Sequence, residues 1–160
     1  MSRDARTAAA IHVKAVLISK GVYPLELAGE NAFNPANEYG ASIVSLSEEF
    51  REKYEPNAAP FRDRIDALKA LHEAGLRTWV NVEPYPTPNI VRQDLREILE
   101  QVAFVDRIVF GKWNYSGRIG EFAGSRQFYD AIASEVTDFC ESHSIELYLK
   151  KGTISATRSE

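Results

Sequence analysis

Short apolar runs alternate with longer amphipathic ones along most of the chain, and that alternation limits the fold more than any other feature of the sequence. Val13 to Ser19 (VKAVLIS), Ala41 to Leu46 (ASIVSL), Thr78 to Val82 (TWVNV) and Val105 to Phe110 (VDRIVF) are short and rich in β-branched or apolar residues, the pattern of buried strands. A fifth run, Ile145 to Leu149 (IELYL), alternates more and reads as an edge strand. Between them the period becomes helical. From Phe61 to Ala74, Phe61, Ile65, Leu68 and Leu71 recur at spacings of three and four, while Arg62, Asp63, Asp66, Lys69 and Glu73 fill the other face. Pro60 suits the first turn of that helix and Gly75 the left-handed position past its end. Further helices are expected from about Asn89 to Ala103, after the Thr87-Pro88 start signal, and from about Ser125 to Ser142. A weaker one, Glu48 to Tyr54, is capped by Ser47, or by Ser45 paired with Glu48.

Strand alternating with helix at this length implies parallel strands joined by crossovers, hence an α/β sheet covered by helices. The 160 residues fit one domain, expected over 1–152 with 153–160 as a flexible tail. The segment DARTAAA reads as the end of a helix feeding the first strand, so the chain is expected to begin in mid-architecture. A net charge of −4 gives no general attraction to nucleic acid. No apolar run approaches the roughly 20 residues of a membrane helix, and the first ten residues lack a signal-peptide core. No membrane association and a cytoplasmic location are the expectation.

In parallel α/β folds the ligand sites gather at the carboxyl ends of the strands. That rule selects Ser19, Lys20 and Gly21, then Ser45 and Ser47, then Glu83 and Tyr85, then Lys112, Trp113, Asn114 and Tyr115. Glu83 is either solvated at the strand end or satisfied by a partner, for which Lys20 and Lys112 are the candidates; a structural ion pair and a ligand contact are equally good readings. Three alternate prolines in Glu83 to Pro88 stiffen that loop, as a shaped binding loop or as a plain connector. Trp113 and Tyr115 suit stacking on a flat ring such as adenine; capping the sheet end is the commoner fate of such aromatics. His12, His72 and His143 have no metal-site spacing, and Cys140, beside an apolar stripe, reads as a core residue. No Walker A loop, dinucleotide fingerprint or nucleophile elbow is present.

The run from Glu55 to Gly75 (EPNAAPFRDRIDALKALHEAG), followed by TWVNVEPYPTPNI, FVDRIVFGKWNY and IELYLKKGT, resembles radical S-adenosylmethionine (SAM) proteins related to DNA-repair photolyases and spore photoproduct lyase. LISKG and YGASIVSLSEEF resemble the third and fourth barrel strands of that family, so the likeness covers most of residues 13 to 152. It implies a partial (βα) barrel corresponding to about strands 3 to 6 of a (βα)6 barrel, plus a C-terminal edge strand. It implies SAM as cofactor, with Ser45 or Ser47 near the ribose or methionine and the backbone near Glu83 to Tyr85 and Gly111 to Asn114 lining the adenosine side. Glu83, Tyr85, Lys112 and Asn114 thereby join the two serines as candidate cofactor-binding residues. The family's [4Fe-4S] cluster needs three cysteines, and this sequence has one. The resemblance therefore implies a carboxy-terminal part of a radical SAM enzyme whose cluster comes from another chain or a missing N-terminal part, and which by itself does not cleave SAM. The alternatives are a cluster-free module binding a ligand or protein on the same scaffold, and a truncated frame without independent activity. The expected partner is the N-terminal radical SAM half, or a second copy joined through an exposed sheet edge.

Overall fold

A computed structural model of the chain describes residues 13–28, 34–113 and 122–155. Five parallel strands form one sheet: β1 (Val16–Ser19), β2 (Glu38–Ser42), β3 (Arg77–Tyr85), β4 (Arg107–Lys112) and β5 (Glu146–Leu149), in the spatial order β1-β2-β3-β4-β5. The helices are α1 (Glu48–Tyr54), α2 (Phe61–Glu73), α3 (Leu95–Gln101) and α4 (Ser125–His143), with a 3-10 turn at Leu25–Ala28. Because each crossover steps to the next strand in the same direction, crossovers of one hand stack every helix on the same face. This is the arrangement of a barrel wall; a doubly wound sheet reverses direction instead. The expected partial (βα) barrel with parallel strands and a carboxy-terminal edge strand is what the chain forms.

Alternation along the strands separates the two faces. Tyr39, Ala41, Val80, Val82, Ile108 and Phe110 point to the helices and pack with Leu68, Leu71, Ile98, Leu99, Val136 and Phe139. Each fully buried aliphatic or aromatic side chain there contributes about 1.5–3 kcal/mol. The register places Glu38, Gly40 and Ser42 on the other, open face, beside Val16 and Ile18 of β1 and Arg77, Trp79 and Asn81 of β3. Trp79 lies flat across Gly40, where a Cβ would stand 2.3 Å from the indole, and the Arg107 guanidinium sits 5.4 Å from the indole centroid.

Several boundaries differ from the sequence expectation. The second strand runs over Glu38–Ser42 instead of 41–46, because Ile43 and Val44 are buried in the loop that follows it. The first turn of the expected 89–103 helix is absent: Ile90 and Val91 donate back to Thr87, and α3 starts only where Asp94 accepts from the Arg96 amide at 2.9 Å. Ser47 does cap α1, accepting from Phe50 at 3.2 Å, and Gly75 has φ +81 after α2. Of the expected tail, Thr153 is buried and Ser155 is bonded to Asp130, while residues 156–160 lie outside the described residues. No helix among the described residues is long and apolar enough to cross a membrane.

The amino ends of the strands on the open face are closed by charge. Glu38 is 2 % exposed, and its carboxylate accepts from Lys14 at 2.5 Å and Arg107 at 2.5 Å, with Arg77 at 3.5 Å. Arg77 reaches on to Glu146 at 2.6 Å. Burial opposes ionisation of Glu38, but the hydrogen bonds from Lys14 and Arg107 outweigh it and hold the carboxyl below its ordinary 4.5. A folded-state pKa below the unfolded one stabilises the protein fully above pH 4.5 and loses that contribution as pH falls through the lower folded value. Glu38→Gln is expected to cost about 2 kcal/mol at neutral pH, discounted because two of its cations are half exposed. It should also flatten the acid limb of stability below pH 4.5, measured by urea unfolding; an acid limb unchanged in the variant would show that the carboxylate does not carry it.

Candidate functional site

The carboxyl ends of the strands bring together most of the residues that the sequence selects. Glu83 of β3 lies across β4, over Gly111: a Cβ at Gly111 would fall 2.9 Å from Glu83 Cγ and 3.0 Å from Oε1. Glycine is needed here for close approach, since its φ is unexceptional. The partner of Glu83 is Lys150, just after β5, with Nζ 3.2 Å from Oε2. The candidate partners Lys20 and Lys112 are both corrected by this. Lys20 pairs with Glu55 at 2.9 Å. Lys112 acts on Asp130 of α4, a carboxyl held below its usual range chiefly by hydrogen bonds from Ser155, with Arg126 and Lys112 adding to them. Asn81 Nδ2 donates to the Glu83 carbonyl at 2.9 Å and steadies the same residue from below.

Ser45 and Ser47 lie in the loop after β2, three residues or more beyond its end. The Ser45 hydroxyl accepts from the Ser47 amide at 3.1 Å, and the Ser47 hydroxyl caps α1. Both are therefore engaged as acceptors by local backbone, which fixes where their oxygens stand. Tyr85 is a correction as a side-chain contact. It is 2 % exposed, packed against Phe110 and Phe128, and burial pushes its phenol well above the ordinary range. Its carbonyl is taken by the Tyr129 hydroxyl at 2.8 Å, and that hydroxyl in turn accepts from the Trp113 amide at 3.2 Å. Trp113 meets Phe50 and Tyr54 of α1 edge-on, with centroids at 6.2 and 5.7 Å, so its ring covers the sheet end. Asn114, Tyr115 and His12 lie outside the described residues.

Sequence reasoning passed over four residues at this end of the sheet: Glu55, Arg64, Asn81 and Lys150. Lys150 follows the fifth strand directly, so the strand-end rule would have found it. Arg64 stands three residues after Phe61 and four before Leu68, within the apolar stripe of α2, and a charge there is the signal of a buried partner. Glu55 and Asn81 carry no sequence signal of their own. Among the described residues no three His, Cys, Asp or Glu side chains gather as a metal site. Cys140 is buried on the helix side of the sheet, and burial pushes its thiol up to about 11.

No protein-family model matches the sequence. The fold is similar to the crystal structure of Streptococcus suis SuiB bound to S-adenosylmethionine, with a TM-score of 0.59 and 15 % identity. The likeness covers 90 % of this chain and 32 % of that one, and it is a likeness of fold. Over 61 residues the sequence is 41 % identical to ORF301, an uncharacterized protein of Acidianus two-tailed virus. That match takes in 38 % of this chain and 20 % of the viral protein, so the chain spans about a fifth of that relative's length and about a third of SuiB's.

The Glu83 placement has a direct test. Gly111→Ala should drive the Glu83 side chain off β4 and break its pair with Lys150, at a modest cost of about 1 kcal/mol because the side chain can swing toward water. In a Glu83→Ala background the same substitution should cost nothing. A double-mutant cycle by thermal or urea unfolding reads this coupling; equal costs in both backgrounds would mean that Glu83 does not occupy the surface of Gly111.

Proposed function

We propose that this chain forms the carboxy-terminal wall of a radical SAM barrel, supplying part of the SAM- and substrate-binding surface to a cysteine-bearing N-terminal part. The observation that carries the reading is the sheet: five parallel strands in sequential order, helices on one face, and a polar mouth at the carboxyl ends, on the fold of a protein solved with SAM bound. The mouth suits the polar groups of that cofactor. The Glu83 carboxylate accepts from an ammonium or a ribose hydroxyl, with Lys150 to neutralise what the ligand does not. The Ser45 and Ser47 hydroxyls keep a proton to donate. Lys112 and Asn114 complete the proposed contact set, together with the backbone from Glu83 to Tyr85. SAM, when bound to a reduced cluster, supplies the radical; these residues would hold and orient it.

The cluster itself does not fit the residues of this chain. Three thiolates are required, and the single cysteine is buried on the wrong side of the sheet with its thiol held protonated. The place for a second part is β1. In a parallel ladder each residue directs its N–H and C=O to one side. Ala15 bonds to the β2 side, through the Glu38 amide and the Asn37 side chain, so Val16 and Ile18 turn their backbone groups away from the sheet. Val16 and Ile18 are 57 % and 53 % exposed, and Val13, Val22 and Leu25 of the same stretch are exposed as well. An edge that no described residue pairs, flanked by apolar side chains, is a template for another strand. A kinship to DNA-repair photolyases within this class rests on the Glu55–Gly75 run and the segments after it.

The test is to purify the chain alone and after coexpression with the product of the adjacent upstream reading frame, then measure mass, iron and SAM binding. A one-to-one complex with about four irons that binds SAM is expected, with no 5′-deoxyadenosine formed by the chain alone under dithionite. An iron-free homodimer that takes up no SAM in any combination would sink the reading in favour of a cluster-free module.

A further inference from the structure

Helix α2 carries a charged side chain on its buried side. Arg64 is 2 % exposed; its Nη1 donates to the Ser42 carbonyl at 2.7 Å and to Glu55 Oε2 at 3.1 Å. Ser42 is the last residue of β2, and Glu55 ends α1. The second oxygen of Glu55 takes Lys20, which follows β1. One guanidinium therefore joins the carboxyl ends of two neighbouring strands, the end of one helix and the face of another.

Withdrawing these charges from water is costly, and an apolar side chain of similar length would fill the space without that cost. An arginine adds direction: a planar donor with fixed geometry that holds one carbonyl in one place. The residues that follow Ser42 are held in series. The Ile43 amide donates to the Asn81 carbonyl at 3.0 Å, and Gln93 Nε2 donates to the Val44 carbonyl at 2.9 Å. Residues 42, 43 and 44 thus each have a backbone group gripped by a different element, namely α2, β3 and the segment before α3. The turn of Ser45 and Ser47 starts where this grip ends, and Arg64 is its one charged member.

We infer that Arg64 is a positioning residue, which fixes the carboxyl end of β2 so that the Ser45–Ser47 turn meets a polar, nucleoside-like ligand in a single geometry. The inference rests on reading the strand ends as the ligand site. It separates holding the turn, which is a property of the free chain, from binding at the turn, which is a property of the assembled protein. Arg64→Met leaves Glu55 with Lys20 as a partner and removes only the planar donor; Arg64→Lys keeps a charge and one possible bond to Ser42.

Amide hydrogen exchange on the full chain and SAM titration of the assembled protein test it together. Arg64→Met should speed exchange of residues 43–47 by about tenfold or more while leaving β4 and α4 unchanged, and weaken SAM binding by about tenfold. Arg64→Lys should recover part of both, which a loss of packing alone would not do; it also carries the exchange test if Arg64→Met does not fold. Exchange that rises uniformly, or not at all in 43–47, overturns the positioning role. Wild-type protein that binds no SAM refutes the function proposed above, whereas the exchange pattern still decides whether Arg64 holds the turn.

Discussion

A parallel sheet whose crossovers all step the same way has one face covered by helices and another that must be satisfied by its own side chains. Every local feature of the open face follows from that constraint. At the amino ends the gap is closed by charge, with Glu38 buried among Lys14, Arg77 and Arg107. Above it Trp79 folds over Gly40 and takes the place a helix residue would fill on the other side. At the carboxyl ends Glu83 folds over Gly111 in the same way, but with a carboxylate in place of an indole and a lysine half open to water beside it. A sheet face that is packed low and polar high leaves room for a ligand only at the mouth.

The two glycines show how differently sequence positions are legible. The alternation of strand and helix is visible because it is repeated, and the strand count, the parallel class and the edge position of β5 all follow from it. The register of β2 is hidden because burial, not pairing, makes a run apolar: Ile43 and Val44 are as buried as ladder residues while Glu38 and Gly40, which are ladder residues, look like loop. The only trace of Glu38 in the sequence is one acidic residue among several. Its three cations come from positions far apart in the chain, and nothing local marks them.

The candidate site is legible to a similar degree. The strand-end rule places Glu83, Ser45 and Ser47 at the mouth, because loop position depends on topology alone. It misassigns Tyr85, since a tyrosine after a strand looks alike whether the pleat turns it to solvent or, as here, to Phe110 and Phe128. It also names the wrong lysine for Glu83. Lys150 reaches it because β4 carries no side chain at Gly111, so a residue two strands away in the sheet becomes a neighbour. A close approach of that kind depends on an absent Cβ, and it is invisible until the strands are laid side by side.

The two edges of the sheet present different side chains to the open face. On the β5 side, Glu146 is tied to Arg77 and Lys150 to Glu83, so charged side chains reach back across the open face on either side of the exposed Tyr148. On the β1 side Lys14 is likewise tied to Glu38, while the ladder positions on the open face are Val16 and Ile18, both exposed and apolar. Charged or inward-reaching residues are what proteins place on an edge that is to remain free, and apolar β-branched residues are what they place against another strand. The charge layer runs from one edge to the other: Lys14, Arg77 and Arg107 share Glu38 of β2 and Glu146 of β5, and Lys14 at the β1 end is half exposed.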